Sequence, residues 1–371
     1  MDKKNQPKKV FFLGAGFSKA INTSYPLLNT VVEKSGYATK GLTQLTLDGI
    51  INSHHYTSSL KNHLTELPES LLDNIEELLT FLNTDFPWKD QIQKKQDEAL
   101  YEALTREVAK TIRNIGKNPD YPSLIQNETK NIDATKLIQY INENKYPVIT
   151  LNYDTLFEEL TLSNYKSKNG KINYSDLYQI PIIDLENRLG QGYLSDWNDD
   201  VIKCSHLLKL HGSVNWYFSK MSNSLYYEHN LPQNLQYLKD DLAPYIIPPV
   251  LDKNSLYNHQ LIKLQWQKAH DYIKDAEEIY IIGFSLPQTD ISVKFLFQSA
   301  LKNSTAKTYL INVSKKEALA NNFYNLYAVK SPKMYTDNLR LNLINYSYCG
   351  MDYPLEKFIN EKILDSQEIT L

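Results

Sequence analysis

The chain has 371 residues, of which 42% are hydrophobic and 22% charged, and this balance excludes an intrinsically disordered protein. The net charge of −3 argues against a dominant nucleic-acid surface, because phosphate binding needs clustered Lys and Arg side chains. No apolar run approaches the roughly 20 residues that cross a bilayer, and the first residues lack a secretory signal. We therefore expect a cytoplasmic protein that makes no membrane contact. The 2 cysteines, Cys204 and Cys349, provide neither a disulfide framework nor a four-cysteine zinc module.

The first predicted element is a short apolar strand at 9–13, which ends in the run Gly14-Ala15-Gly16-Phe17-Ser18. Glycines permit a tight strand-to-helix turn in which the backbone approaches a diphosphate, and a helix beginning near Phe17 would direct its first amides there. The Ser18 hydroxyl can donate a hydrogen bond. The run lacks the Lys-Ser/Thr pair of a P-loop, and Lys19 stands where a third glycine would be expected. A purely structural turn is the alternative.

Residues from about 42 to 143 are predicted to form a helical insertion. The apolar residues that recur at helical spacing in it are Leu71, Leu72, Ile75, Leu78, Leu79 and Leu82. Glu76 and Glu77 lie in the same stretch. A solvent-facing position on an amphipathic helix is favoured for both of them over a catalytic role.

A second strand, opened by Pro147, ends at Asn152-Tyr153-Asp154 and is followed by a helix from Thr155. Asn152 and Asp154 are two residues apart, so both side chains face the same way if the backbone stays extended. The alternative is a helix cap, because either side chain can accept a hydrogen bond from free helix amides.

A third strand ends at Leu210 and is followed by His211-Gly212-Ser213, after a polar surface excursion at 162–200. His211 is the candidate general base, since histidine has an unperturbed pKa close to neutral. Gly212 would remove bulk where a sugar approaches. The other histidines are predicted to be structural or on the surface: His54, His55, His63, His206, His229, His259 and His270.

The later part of the chain contains two more strand ends. Gly283-Phe284-Ser285-Leu286 follows an apolar strand at 279–282, and Asn312 follows Leu310 and Ile311. β structure is predicted around 216–218 and 225–227, and helices near 256–276, 315–327 and 354–364. A strand-like pattern covers 339–348.

Carboxyl ends of parallel strands form a common ligand crevice, so these turns predict one nucleotide site. We expect an α/β fold, a Rossmann-like doubly wound parallel sheet with an inserted helical subdomain. The chain is expected to form a single domain, 1–371. Its core segments are approximately 8–40, 144–162, 200–218 and 276–316, and 317–371 is a C-terminal extension.

The ordered motifs Gly-Ala-Gly-x-Ser, Asn-x-Asp, His-Gly, Gly-x-Ser-Leu and Ile-Asn resemble those of the sirtuin superfamily over roughly half of the chain. The resemblance implies that NAD+ is bound. It further implies that Asn152 positions the nicotinamide ribose and the attacking water, that Asp154 meets the nicotinamide amide, and that His211 is the base. The remaining implied substrate contacts are Gly14, Ala15, Gly16, Phe17 and Ser18, Gly283 and Ser285 on the adenosine half, and Asn312 on the adenine ribose.

The chain departs from sirtuin-type deacylases in two respects. It cannot build their four-cysteine zinc ribbon, and Asn22-Thr23-Ser24-Tyr25-Pro26 does not preserve their Gly-Ile-Pro-x-Phe-Arg segment. The chain is more similar to the bacterial sirtuin-like NAD+ hydrolases of antiphage defence, which implies release of nicotinamide and ADP-ribose with no metal required. The alternatives are an NAD or ADP-ribose binding scaffold or sensor and, ranked lower, a protein deacylase or a nuclease subunit.

The same resemblance implies partners. We expect self-assembly into a homo-oligomer and control by a separate HerA-type hexameric ATPase encoded nearby. Nucleic acid would then be contacted through that partner.

Overall fold

The computed structural model of the protein describes residues 8–28, 31–32, 38–116, 128–168, 170–185, 202–219, 221–228, 242–247, 260–287, 290–302, 304–323, 326–327 and 343–364. Part of the surface excursion predicted at 162–200 and the beginning of the pattern at 339–348 lie outside these residues. His229 and His259 also lie outside them.

A six-stranded parallel sheet forms the centre of the protein. Its strands are β1 (Lys9–Leu13), β2 (Val148–Thr150), β3 (Leu207–Lys209), β4 (Glu278–Ile282), β5 (Lys307–Asn312) and β6 (Ile344–Cys349). Across the sheet their order is β6-β5-β4-β1-β2-β3, which is the doubly wound order of dinucleotide-binding folds. The predicted fold class is therefore confirmed.

The strand order reverses between β1 and β4, and this switch point is where such sheets bind ligands. The register brings the strand ends level with one another: Leu13 pairs with Thr150 on one side and with Ile282 on the other. The turns after these strands consequently meet at one edge of the sheet.

The inner strands β1, β2 and β4 are largely apolar because both faces of the sheet are covered. In β1, Phe11 and Leu13 belong to one apolar core, and Val10 and Phe12 belong to the other. The first core includes the inserted helices. The second is closed by helices Gln260–Lys274, Ile291–Ala300 and Lys316–Phe323.

In the part of the insertion that the structure describes, six helices lie between β1 and β2, after the first short helix Ala15–Ile21 and a two-stranded ribbon of Val31–Val32 and Ala38–Thr39. They are Leu42–Asn52, Ser58–Glu66, Glu69–Leu72, Ile75–Asn83, Gln91–Gly116 and Glu128–Asn144. Leu78, Leu79 and Leu82 are buried on one face of their helix, as the helical spacing predicts. The Arg113 side chain joins this region to Glu228 through an ion pair.

A second, four-stranded sheet packs beside β3. It is formed by Ile183–Asp184, Ser224–Tyr227, Gly212–Ser219 and Leu242–Ile246, in that order. The remaining helices of the described residues are Leu156–Asn164, Tyr174–Tyr178 and Pro354–Phe358, the last continuing as a π-helix at Ile359–Leu364. Within the described part of the chain, none of the helices combines the length and apolar character needed to span a membrane.

Candidate functional site

A cavity of about 640 Å³ opens at the carboxyl ends of the central strands. This volume is in the range of small-molecule sites. The predicted site residues that line it are Gly14, Ala15, Gly16, Ser18, Asn152, Asp154, His211, Gly283, Ser285 and Asn312. Phe17 is the exception, because its side chain is 1% exposed and lies in the apolar core.

The glycines after β1 and β4 allow two loops to touch at the switch point. Gly14 N–H donates to the Ile282 carbonyl at 2.9 Å, and Gly16 N–H donates to the Gly283 carbonyl at 2.8 Å. A Cβ on Gly14 would lie 2.6 Å from the Gly283 oxygen, and Gly283 itself has a φ of +66°. These glycines are therefore needed for loop packing, in addition to any approach of a diphosphate.

Fewer helix amides are available to a ligand than the sequence suggests. Gly16 N–H is bonded to Gly283, and Phe17 N–H donates to the Gly14 carbonyl at 2.9 Å. The helix itself has only seven residues. Ser18 is also engaged, since its buried hydroxyl donates to Asp154 Oδ2 at 2.7 Å. The contacts of Phe17 and Ser18 with a ligand remain predictions.

The Asn152 side chain is held in one orientation. Its Nδ2 donates to the Gly14 carbonyl and to Ser18 Oγ, each at 3.0 Å. A carbonyl oxygen can only accept, so the amide nitrogen must be the atom that faces Gly14. Asn152 Oδ1 is then left to accept a hydrogen bond from a ligand or a water, since the described residues show no bond to it.

The Asp154 carboxylate has two partners within the protein. Oδ2 accepts from Ser18, and Oδ1 accepts from the Leu156 amide at 3.1 Å, at the beginning of the helix Leu156–Asn164. Asp154 lines the same cavity as Asn152, and from the position before the N-cap Thr155 it accepts a hydrogen bond from the first amide of the helix. Its contact with nicotinamide remains a prediction.

His211 lies between two aromatic rings at the cavity wall. Its ring centroid is 6.3 Å from that of Tyr153 and 6.3 Å from that of Trp266. Its main-chain oxygen accepts from the Ile247 amide at 2.8 Å. The structure thus brings His211 to the same cavity as Asn152, from the neighbouring strand.

Gly212 has a structural role that the sequence did not predict. Its φ is +76°, and a Cβ at this position would lie 2.2 Å from the Tyr245 carbonyl oxygen. The glycine therefore makes room for the adjacent strand of the second sheet. The approach of a sugar at this glycine remains a prediction.

Asn312 fixes the loop that follows β4. Its Nδ2 donates to the Phe284 carbonyl at 3.2 Å, and its Oδ1 accepts from the Ser314 amide at 2.9 Å. The Ser285 carbonyl accepts from Asn322 Nδ2 at 3.0 Å. In this conformation both ends of the Asn312 amide are engaged, and its contact with an adenine ribose remains a prediction.

The insertion and the C-terminal region also contribute to the cavity wall. The sequence favours a solvent-facing Glu76, whereas the structure has Glu76 among the lining residues. Helical spacing identifies the apolar face of a helix, but it does not show what the polar face approaches. Other lining residues that the sequence did not indicate are Leu42, Ile112, Ala134, Asp352, Tyr353, Leu355, Glu356 and Ile359.

A smaller polar cavity of about 50 Å³ lies behind Asp154 and is lined by Glu159, Asn215 and Glu228, among others. Burial raises the pKa of Glu159 to about 7, and the nearby carboxylates of Glu158 and Asp154 act in the same direction. The Thr155 hydroxyl, which donates to Glu159 at 2.6 Å, opposes this shift. Glu159 therefore titrates close to neutral pH.

The two cysteines stand at different places in the fold. Cys204 Sγ donates to the Asp176 carbonyl and Cys349 Sγ to the Leu310 carbonyl. Burial raises the pKa of Cys204 to about 12 and that of Cys349 to about 11. Over the residues that the structure describes, no three His, Cys, Asp or Glu side chains cluster as metal ligands.

Comparison with solved structures finds similar chains among Sir2 homologues. A Sir2 homologue in complex with NAD is 12% identical, with a TM-score of 0.42 over 100% of this chain and 96% of that one. A mutant Sir2 homologue in complex with ADP ribose is 12% identical, with a TM-score of 0.41 over 100% of both chains. A complex of Sir2 with a p53 peptide and NAD+ is 13% identical, with a TM-score of 0.39 over 100% of both chains.

No protein-family model and no curated protein matches the chain. At this level of similarity, the fold assignment rests on the strand order of the chain itself.

Proposed function

We propose that the protein hydrolyses NAD+ to nicotinamide and ADP-ribose. The observation that carries the proposal is the meeting of Asn152 and His211 in one cavity at the switch point of a doubly wound sheet. The cavity volume of about 640 Å³ suits a ligand of nucleotide size. The motif order in the sequence supports NAD+ as that ligand.

The proposed reaction breaks the bond between the nicotinamide nitrogen and the ribose carbon. The electron pair leaves with neutral nicotinamide, and the ribose acquires oxocarbenium character before water adds to the same carbon. Asn152 Oδ1 accepts a hydrogen bond from that water, and His211 takes the proton that the water loses. Positioning and electrostatic stabilisation supply most of the rate enhancement, so the residues need no covalent role.

The fixed amide of Asn152 supports the water-positioning role. Because Gly14 and Ser18 hold its Nδ2, the oxygen cannot rotate away from the cavity without breaking two hydrogen bonds. Asp154 acts indirectly by orienting the Ser18 hydroxyl. We therefore assign Asp154 to positioning in the protein itself, in addition to the predicted contact with nicotinamide.

Chromatography of NAD+ incubated with the purified protein tests the proposal, in the presence and absence of the neighbouring gene product. We expect equal amounts of nicotinamide and ADP-ribose. Bound NAD+ with neither product under both conditions would favour the scaffold or sensor alternative. Acyl-lysine peptide and DNA substrates in parallel reactions test the deacylase and nuclease alternatives.

The biological setting is a further part of the proposal. We infer that the reaction depletes NAD+ in bacterial antiphage defence, in a homo-oligomer controlled by a HerA-type ATPase. The resemblance of the motifs to sirtuin-like defence hydrolases supports this setting.

A further inference from the structure

A lysine is completely buried directly beneath the proposed site. Lys209 is the last residue of β3, two positions before His211, and its side chain is 0% exposed. Its Nζ donates to the main-chain carbonyl of Asp154 and to Glu158 Oε1, the latter at 2.9 Å. The Glu158 side chain is 1% exposed. The proposed chemistry uses neither charge.

The ion pair belongs to a larger buried network. Glu158 Oε1 also accepts from the Tyr178 hydroxyl at 3.0 Å, and Asn215 Nδ2 donates to that hydroxyl at 3.1 Å. Asn215 lies on the strand that begins directly after His211. The network therefore joins the segments before and after His211 to the segment that carries Asn152 and Asp154.

The Asn152–Asp154 segment is also tied to the residues after His211 by main-chain contacts. The Val214 amide donates to the Tyr153 carbonyl at 2.9 Å, and the Ser213 hydroxyl donates to the same carbonyl at 3.3 Å. Lys209 adds a bond to the next carbonyl, that of Asp154. The carbonyls of Tyr153 and Asp154 are thus held by residues of the two strands that flank His211 in the chain, and these bonds fix the segment relative to His211.

Stability alone does not explain a buried lysine and glutamate. Removing two charges from water is costly, and apolar side chains of similar volume often replace such a pair without loss of stability. An apolar pair, however, cannot donate a hydrogen bond to the Asp154 carbonyl. The Lys209–Glu158 pair is therefore needed to hold the Asp154 carbonyl in its position.

We propose that Lys209 and Glu158 are positioning residues that hold the Asn152–Asp154 segment in its working position beside His211. The inference rests on the proposed NAD+ hydrolysis. It predicts that loss of the pair lowers the rate of the chemical step and loosens this segment, while the fold persists.

The test removes both charges together in the variant Lys209→Met/Glu158→Leu, which leaves no uncompensated ion. The matched control is Lys89→Met/Asp97→Leu. Lys89 and Asp97 form another buried pair, at 2.8 Å with both side chains 5% exposed, and Lys89 likewise donates to a main-chain carbonyl, that of Phe81. This control pair belongs to the insertion and does not line the cavity.

For Lys209→Met/Glu158→Leu we expect kcat for NAD+ to fall at least about tenfold with little change in KM, because a small displacement of positioned groups is costly. Hydrogen exchange should accelerate at the Leu156 and Val214 amides, which bond to the segment. The control should retain kcat and the exchange rates at these amides. Glu158→Gln, which keeps a hydrogen-bond acceptor, is measured in the same way if the double variant does not fold.

Equal kcat in the double variant and the wild type, or an equal loss in the control, would show that the pair has no special positioning role. If the wild-type protein cleaves no NAD+ under any condition, the proposed function fails. The exchange rates then decide the inference alone: unchanged rates at Leu156 and Val214 would overturn it.

Discussion

The fixed orientation of one amide gives the clearest mutational prediction. Asn152→Ala removes the oxygen that is proposed to hold the attacking water, and His211→Ala removes the proposed base, so each should reduce NAD+ turnover at least about a hundredfold. Matched controls are Asn164→Ala, at the end of a helix, and His270→Ala, whose ring contacts Ser299 and Asp271 away from the cavity. Turnover is measured by nicotinamide release, and circular dichroism checks the fold. Near wild-type turnover in either site variant would remove that residue from the mechanism.

Glu159 should make stability depend on pH. Its pKa is about 7 in the folded protein against an ordinary 4.5, so between these values the folded state holds a proton that the unfolded chain releases. Stability therefore falls as the pH rises through this window and is lowest above it. Glu159→Gln abolishes the titration and should raise Tm relative to wild type by at least about 3 °C more at pH 8 than at pH 5. The solvent-exposed Glu77→Gln serves as control, and an equal Tm difference at both pH values would contradict the prediction.

The two thiols should be unreactive and free of zinc. A thiolate is the form that binds metal and attacks reagents, and burial keeps both Cys204 and Cys349 protonated at neutral pH by raising each pKa to about 11 or above. We expect slow labelling by a thiol reagent in the folded protein, rapid labelling after unfolding, and unchanged turnover in EDTA. Stoichiometric zinc in elemental analysis would refute this expectation.

At the scale of the elements, the loop after β4 depends on a glycine. A Cβ on Gly283 would lie 2.1 Å from the Phe17 amide nitrogen, and φ there is +66°. Gly170 has a φ of +106° with nothing within 4 Å of a built Cβ, so Gly170→Ala measures the backbone strain alone. Gly283→Ala should lower the free energy of unfolding by at least about 2 kcal/mol more than Gly170→Ala does. Denaturant unfolding of both variants tests this, and equal losses would show that the loops can separate without cost.

The central strands could be predicted because a strand that is buried on both faces has a continuous run of apolar residues in its sequence. Ile279–Ile282 has this character, and the polar turns that follow such runs predicted the edge of the sheet where Asn152 and His211 now meet. The second sheet was harder to predict. Two of its strands form a local hairpin in which Ser219 pairs with Ser224, and the sequence predicts β structure there. The other strands pair across longer separations, as between Ser219 and Leu242, and local patterns carry no information on such pairing.

Some residues of the site could not be inferred from periodicity. Glu76 lies on the polar face of an amphipathic helix. Only the tertiary structure shows that this face lies at the cavity. The sequence pattern predicts one continuous helix near 354–364, whereas the structure changes from an α-helix to a π-helix at Ile359. The sequence does indicate a role for Lys209, since a lysine within the buried run Leu207–Leu210 needs a hydrogen-bond or ion-pair partner inside the protein.

At the scale of the whole molecule, the cavity is shared between regions far apart in the chain. Gly14 and Asn152 come from the turns after β1 and β2, Glu76 and Ile112 from the insertion, and Tyr353 from the C-terminal region. A shift of the inserted helices would therefore change the wall of the cavity directly. Surfaces of the insertion are suited to control the site, because binding there can favour one conformation of the wall.

This arrangement leads to a prediction about regulation. A protein that destroys NAD+ would harm its own cell if it were constantly active, so we expect the isolated protein to be weakly active or restrained within an oligomer. The proposed partner, a HerA-type ATPase, should change NAD+ turnover by at least about fivefold, the lower range of coupling between sites. Mass photometry and nicotinamide release are measured for the protein alone, for the protein with its genomic neighbour, and for the His211→Ala variant with the same neighbour as control. Full activity as a monomer, unchanged by the neighbour, would eliminate the regulatory model while leaving the hydrolase assignment in place.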